Sequence, residues 1–252
     1  MKNKKIIIAG IIIIVIGVGL GCWGLSKYFS QKNAGAVYEN LKDDFDVEPI
    51  LDIPQVGEDE INPINFKELT AKYPDAYAWI RIPGTNVDYP IVQHESDNEY
   101  YLKHTIDGRK RIEGSIFTEN YNSKDFEDPN TLIYGHNMLN GSMFRTLHKY
   151  KDRKFFEENR DVYIYQDGKI LKYRIFAAYT YDDRHIMMSF DFEDEKIFEI
   201  YLNSILTNHG MSDNIDTGIS ITTKDKIITL STCTNNQSQR YLVQAVLVSI
   251  QE

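Results

Sequence analysis

KIITLSTC (226–233), TNNQSQ (234–239) and RYLVQAVLVSI (240–250) make up the stretch that decides how this chain is read. The two flanks are rich in Ile, Val, Thr and Leu, which suit a pleated, half-buried surface, so both read as strands. Only six polar residues, Thr234–Gln239, join them, which makes the pair an antiparallel hairpin. In such a hairpin the last residue of one strand and the first of the next lie side by side. Cys233 and Arg240 are therefore expected at one rim, a thiol beside a permanent cation. That cation can stabilise a thiolate, or the oxyanion of an acyl-transfer intermediate. On the hairpin alone two readings stand: a reactive pair, or a small core cysteine next to a solvated charge.

Upstream, Phe192–Asn208 reads as an amphipathic helix, with Ile197, Ile200, Tyr201, Ser204 and Ile205 at spacings of three and four. Asp161–Gln166 and Lys169–Tyr181 form a hairpin in which Asp167-Gly168 signals a type I′ turn. Ala78–Ile82, Val87–Gln93, Ser115–Thr118 and Thr131–Tyr134 are short strands, and Ser142–Tyr150 and Asp152–Asn159 short helices. A helix starts at Asn65, capped by that residue with Glu68 three positions on, and ends at Pro74. Many short strands with inserted helices, together with 17 Tyr and 12 Phe, indicate a mainly β domain closed as a barrel or sandwich. There is no internal repeat, low-complexity tract or Gly-rich phosphate loop.

A thiol nucleophile needs a proton-transfer partner from elsewhere in the chain. Among six histidines, His136 stands out because it follows the apolar strand Thr131–Tyr134 and Gly135, at a strand end. His94, His104, His148, His185 and His209 lie in polar or mixed surroundings and read as surface residues. No metal-ligand spacing appears, and two cysteines, Cys22 and Cys233, make neither a disulfide framework nor a Cys-rich zinc site. No cofactor and no metal are expected.

Lys4-Lys5 precede Ile6–Leu25, twenty residues without a charge. A helix of that length crosses a bilayer's hydrocarbon core, and the preceding lysines place its N-terminus in the cytoplasm. No small-residue cleavage site follows. A lipoprotein signal ending at Cys22 is disfavoured by Gly19, where a large aliphatic belongs. The expected organisation is a cytoplasmic tip and transmembrane anchor over 1–27, an acidic stalk or linker over 28–60, and one extracellular catalytic domain over 61–252. Net charge is −9, and beyond the anchor 24 basic face 37 acidic side chains. Such a balance argues against nucleic acid as a partner.

These residues resemble the sortases. TLSTC (229–233), with an Arg opening the next strand, looks like the sortase active-site hairpin, and LIYGHNM (132–138) like its histidine motif. WIRIPGTNVDYPIVQ (79–93), DNEYYL (97–102) and GSIF (114–117) are similar to the class B branch in order and spacing. The helix over 192–208 resembles the class B insertion before the last two strands. The resemblance implies an eight-stranded β-barrel with N-terminal helices. It also implies a membrane-anchored cysteine transpeptidase that cleaves a C-terminal sorting pentapeptide of surface proteins at Thr. Cys233 would form the thioacyl-enzyme, His136 would move the protons, and Arg240 would hold the substrate and the oxyanion. An amine of a peptidoglycan precursor or a pilin would accept the acyl group. By the same resemblance Asp88, Tyr134, Ile186 and Ser231 are substrate-contact positions. Three departures stand out: the Cys-to-Arg loop is short, Asn235 replaces an Asp that could orient the His, and Thr234 follows the Cys.

Overall fold

The computed structural model describes residues 16–26, 28–30, 32, 34–45, 62–207, 210 and 213–252. Nine strands run in chain order: β1 (Ala76–Arg81), β2 (Asp88–Val92), β3 (Ile116–Thr118), β4 (Asn130–Tyr134), β5 (Asp161–Gln166), β6 (Lys169–Asp182), β7 (Asn214–Ile215), β8 (Ile227–Cys233) and β9 (Gln239–Gln251). Eight of them, in the order β5-β1-β2-β3-β4-β8-β9-β6, close into a barrel because β5 also pairs with β6. The two-residue β7 is appended to β6. Pairing is parallel at β2–β3 and β4–β8 and antiparallel elsewhere, so the sheet is mixed. The long β6–β9 ladder carries two register shifts, at Lys172/Tyr173 and Ile175/Ala177. Such irregularities bend strands, as barrel closure requires.

The eight-stranded barrel expected from the sequence is thus present, and its short strands match the expected ones to within two residues. The β5–β6 turn keeps its two-residue length, but only Gly168 has positive φ, at 76°. A type I′ turn needs both central residues there, so Asp167-Gly168 forms another type. Asn65 caps α2 (Phe66–Lys72) as expected, accepting from the Glu68 amide at 3.2 Å.

One core fills the barrel, with Trp79, Ile80, Tyr89, Ile133, Ile228, Leu230, Tyr241 and Val243 among its members. Helix α1 (Ala36–Asp44) completes it. The sequence reads residues 28–60 as a stalk with a short helix around Ala34–Asp43; the helix is there, and Ala34, Tyr38, Leu41 and Phe45 belong to this core. Tyr38 Oη donates to the Gly114 carbonyl at 2.7 Å and to Ser115 Oγ at 2.9 Å. The acidic composition of that region hid an apolar face at positions 34, 38, 41 and 45.

A second core lies outside the barrel, where α6 (Glu195–Thr207) packs Phe198, Tyr201, Leu202 and Ile205 onto Leu132, Ile227, Leu242 and Val246. Tyr201 and Ile205 of the expected stripe are buried, but Ile200 is 58% exposed, and Phe198 and Leu202 complete the buried face. Two stripes at helical spacing compete here, and the one carrying aromatic Phe198 buries more apolar area. Gln244 ties the helix down, donating to Tyr201 Oη at 2.7 Å and Thr229 Oγ1 at 2.9 Å.

Of the Ile6–Leu25 run, residues 6–15 lie outside the described residues; residues 16–26 are helical and their side chains exposed. Among the described residues no helix is long and apolar enough to cross a membrane.

Candidate active site

Strand alternation builds the site on the outside of the barrel. On β8, Ile228 and Leu230 point into the barrel core while Ile227 joins the outer one. Successive side chains alternate, so Thr229, Ser231 and Cys233 share the outer face with Ile227. On β9, Tyr241 and Val243 point inward and Leu242 outward, which puts Arg240 outside. Cys233 pairs directly with Arg240, and Ser231 with Leu242. The thiol is exposed and free, at the open end of a surface floored by β8 and β9.

His136 reaches the same level through the parallel β4–β8 pair. Tyr134 is in register with Ser231. Past the end of the ladder the stitching continues. The Gly135 amide donates to the Ser231 carbonyl at 3.1 Å, and Asn137 Nδ2 donates to the Cys233 carbonyl at 2.8 Å. His136 lies between these two ties, level with the end of β8. It is the outward position of a strand whose Leu132 is in the outer core. Cys233 therefore sits between the His136 loop on one side and Arg240 on the other.

The imidazole is held from the far side. Its Nε2 lies 2.7 Å from the Leu102 carbonyl at the end of α3 (Tyr100–Lys103). A carbonyl only accepts, so Nε2 carries the hydrogen and Nδ1 is left to accept or, when protonated, to donate. Asn235 does not orient this ring. Gly135 is the residue that lets the loop pass. A Cβ there would lie 2.5 Å from Ile116 Cδ1 and 2.6 Å from the Phe144 ring, both fully buried. Gly135→Ala should cost about 1–3 kcal/mol, because both neighbours are locked in the core. Urea unfolding with an unchanged m-value checks this.

Arg240 is half-buried. Its Nη1 donates to the carbonyls of Gln237 at 2.9 Å and Gln239 at 3.1 Å. These bonds brace the short β8–β9 loop. Among the described residues Nε and Nη2 have no hydrogen-bond partner in the protein, so that edge of the guanidinium is open.

The other sequence-derived positions divide into a wall and a brace. Tyr134 is in register with Ser231, two residues before the cysteine, and packs against the outer core that holds Ile186. Tyr134 Oη donates to Glu119 Oε2 at 2.9 Å; burial and the neighbouring Glu119 carboxylate push its phenol well above the ordinary range. The same carboxylate oxygen takes His185 Nε2 at 2.8 Å. Ile186 begins α5 (Ile186–Ser189) and is buried in the outer core. Asp88 stands apart from these. It opens β2, and its Oδ1 accepts from the Trp79 indole at 2.7 Å and from Arg81 Nε at 3.1 Å. At 9% exposure that carboxylate braces β1 against β2.

Two site residues were not legible as such. His148, read as a surface residue, donates from Nε2 to the Cys233 carbonyl at 3.1 Å and stacks on Tyr241. Burial holds its imidazole below the ordinary value, so it is neutral at physiological pH. His185, also read as surface, is tied to Glu119. No spacing in the sequence links either to Cys233. Asn137 could have been found, since it follows His136 on the parallel strand. Among the described residues no group of His, Cys, Asp or Glu is placed to hold a metal ion.

The comparisons with known proteins agree with this geometry. A family model described as the sortase domain matches residues 80–248. The chain is 31% identical to Sortase B of Listeria monocytogenes over 99% of its own length and 100% of that protein. The X-ray structure of Clostridium perfringens sortase B shares 32% identity, covering 73% of this chain and 100% of that one, with a TM-score of 0.64. The crystal structure of Staphylococcus aureus sortase B shares 26% identity over 86% of this chain and 99% of that one, with a TM-score of 0.70. A match that runs from β1 into β9 and takes in every element of the outward-facing floor makes this chain a member of the sortase family of cysteine transpeptidases, on its class B branch.

Proposed function

We propose that this enzyme cleaves a C-terminal sorting pentapeptide of surface proteins after Thr and passes the new acyl end to an amine of a peptidoglycan precursor or a pilin. The observation that carries the reading is the exposed Cys233 thiol set between Arg240 and the His136 loop. His136 Nδ1 takes the thiol proton, and the thiolate adds to the Thr carbonyl. The resulting oxyanion faces the open edge of Arg240. Collapse breaks the peptide bond, and His136 returns its proton to the departing amine. The acceptor amine then loses a proton to Nδ1, attacks the thioester carbon and releases Cys233. Tyr134, Ser231 and Ile186 form the wall against which the peptide lies, and Glu119 with His185 fixes Tyr134. Asp88 acts indirectly, by holding the rim of β1 and β2.

The same reading anchors the chain in the cell membrane by its N-terminal apolar run, N-terminus inward, with the catalytic domain outside. It is supported by the uncharged stretch Ile6–Leu25 and by the exposure of Ile16, Val18, Leu20 and Leu25, which no part of the barrel covers.

Incubation with a small library of sorting pentapeptides, with mass spectrometry of the Cys233 adduct, tests the reaction. A thioester ending in Thr, discharged faster when an amine is added, supports it; cleavage with no protein-bound intermediate ends it. Arg240→Ala is expected to lower kcat/KM for acylation by about 10²–10³-fold, the loss of one oxyanion donor. Arg240→Lys should recover only part of this, because an ammonium lacks the guanidinium's planar fork.

A further inference from the structure

Next to the residues that follow Cys233 lies a cavity of about 460 Å³, lined by Arg145, His148, Lys149, Lys151, Thr234 and Asn235 among others, and sharing no residue with the Tyr134–His185 wall. Its charge is opposite to that of the chain as a whole, which is −9. Three permanent cations line it and no carboxylate does. Among the described residues none of the three is ion-paired. Arg145 Nη1 donates to Asn137 Oδ1 at 2.8 Å, Lys149 Nζ donates to the Gly84 carbonyl at 3.1 Å, and Lys151 lies over the Tyr241 ring. All these partners are neutral. Some exposed cations elsewhere pair with carboxylates, as at Lys103–Glu99, Arg153–Glu157 and Lys154–Glu158, but these three do not. The 3₁₀ helix Arg145–Lys151 is thus a basic element facing an acid-free hollow.

The hollow also adjoins the backbone of the nucleophile. His148 lines it and donates to the Cys233 carbonyl at 3.1 Å, while Thr234 and Asn235 are the residues that follow the nucleophile. Arg145 reaches the same carbonyl through Asn137, which donates to it at 2.8 Å.

We propose that this cavity is the acceptor subsite and that it recognises an oxyanion, a carboxylate or a phosphate, carried by the molecule whose amine resolves the thioacyl-enzyme. This rests on the transpeptidation reading above and names the acceptor's chemistry within it. The cations act on the second half-reaction alone: they raise the local concentration of an anionic acceptor and hold its amine toward the thioester carbon. Acyl-enzyme formation does not draw on them, since Tyr134, Ser231 and Ile186, assigned above to the sorting peptide, are not among the residues that line the cavity.

The test uses the full chain, a sorting pentapeptide donor and three amine acceptors of equal length. These are triglycine, triglycine amide, and a glycyl amine ending in a phosphomonoester. The expected result is a KM for transfer about 5–10-fold lower for the anionic acceptors than for the amide, shrinking as salt is raised. The better of the two anions identifies the source. In the K149Q/K151Q double variant that preference falls below about twofold, and K149R/K151R restores it because charge is kept. Both lysines are exposed, so the fold is retained. Thioester accumulation without acceptor stays at the wild-type level in all variants. Equal KM values for the three acceptors in the wild type, or a preference that survives the double Gln variant, overturns the subsite. Absence of any thioester instead strikes the transpeptidase reading itself, so the two failures are distinct.

Discussion

Cys233→Ala should yield a fully folded protein that forms no thioester and cleaves sorting peptides about 10⁵–10⁶-fold more slowly than wild type, the scale of losing a covalent nucleophile. The fold is expected to survive because the side chain supports nothing. Cys233 is exposed at the end of β8, and its role in the rim is played by its backbone. The carbonyl accepts from Asn137 and His148, and those bonds remain when the sulfur is gone. Unfolding stability should change by no more than about 0.5 kcal/mol, as for other exposed positions. Cys233→Ser keeps the shape but offers a hydroxyl, a far weaker nucleophile at neutral pH, and should be nearly as inactive. The remaining thiol, Cys22, gives an internal control: alkylation stoichiometry falls from two to one in either variant. A Cys233→Ala protein that still cleaves would remove the nucleophile assignment and leave the basic cavity without a thioester to serve.

What the sequence made legible was local. The β8–β9 hairpin was readable because apolar, β-branched flanks and a short polar link leave one geometry, and it delivered the Cys233–Arg240 pair directly. The strand before His136 was readable for the same reason. Its pairing was not: β4 lies parallel to β8, nearly a hundred residues away, and no pattern within either strand announces that partner. Hence the level match of His136 with Cys233, on which the proposed mechanism depends, is a property of the closed barrel. The agent that fixes the imidazole was hidden for a deeper reason. Leu102 acts through its carbonyl, so its side-chain identity carries no signal, whereas Asn235 and Asp88 drew notice as polar side chains. Asp88 then proved to be spent on Trp79 and Arg81. Gly135 is a contrasting case, since the absence of a side chain is its signal and the crowding of Ile116 and Phe144 is the cause.

His136→Ala should lower acylation by sorting peptides about 10⁴-fold, the upper range for a single acid–base group, and the deficit should depend on the leaving group. A peptide amine cannot depart unprotonated, so an amide substrate needs the imidazolium as acid. A thioester or aryl ester of the same peptide leaves without a proton and needs only the thiolate. With the ester the general-acid step drops out, so the deficit of His136→Ala should shrink by about 100-fold. His136→Gln and His136→Asn can each replace one ring nitrogen as a hydrogen-bonding group, but neither can hold and return a proton. Both should therefore follow the Ala variant on amides and recover likewise on esters. This pattern also separates His136 from its neighbour His148, whose Nε2 is engaged at the Cys233 carbonyl and not at the sulfur. His148→Gln keeps a donor for that carbonyl and should act alike on amide and ester. Equal deficits of His136→Ala on amide and ester would show that the ring merely shapes the rim, and the proton would have to come from elsewhere.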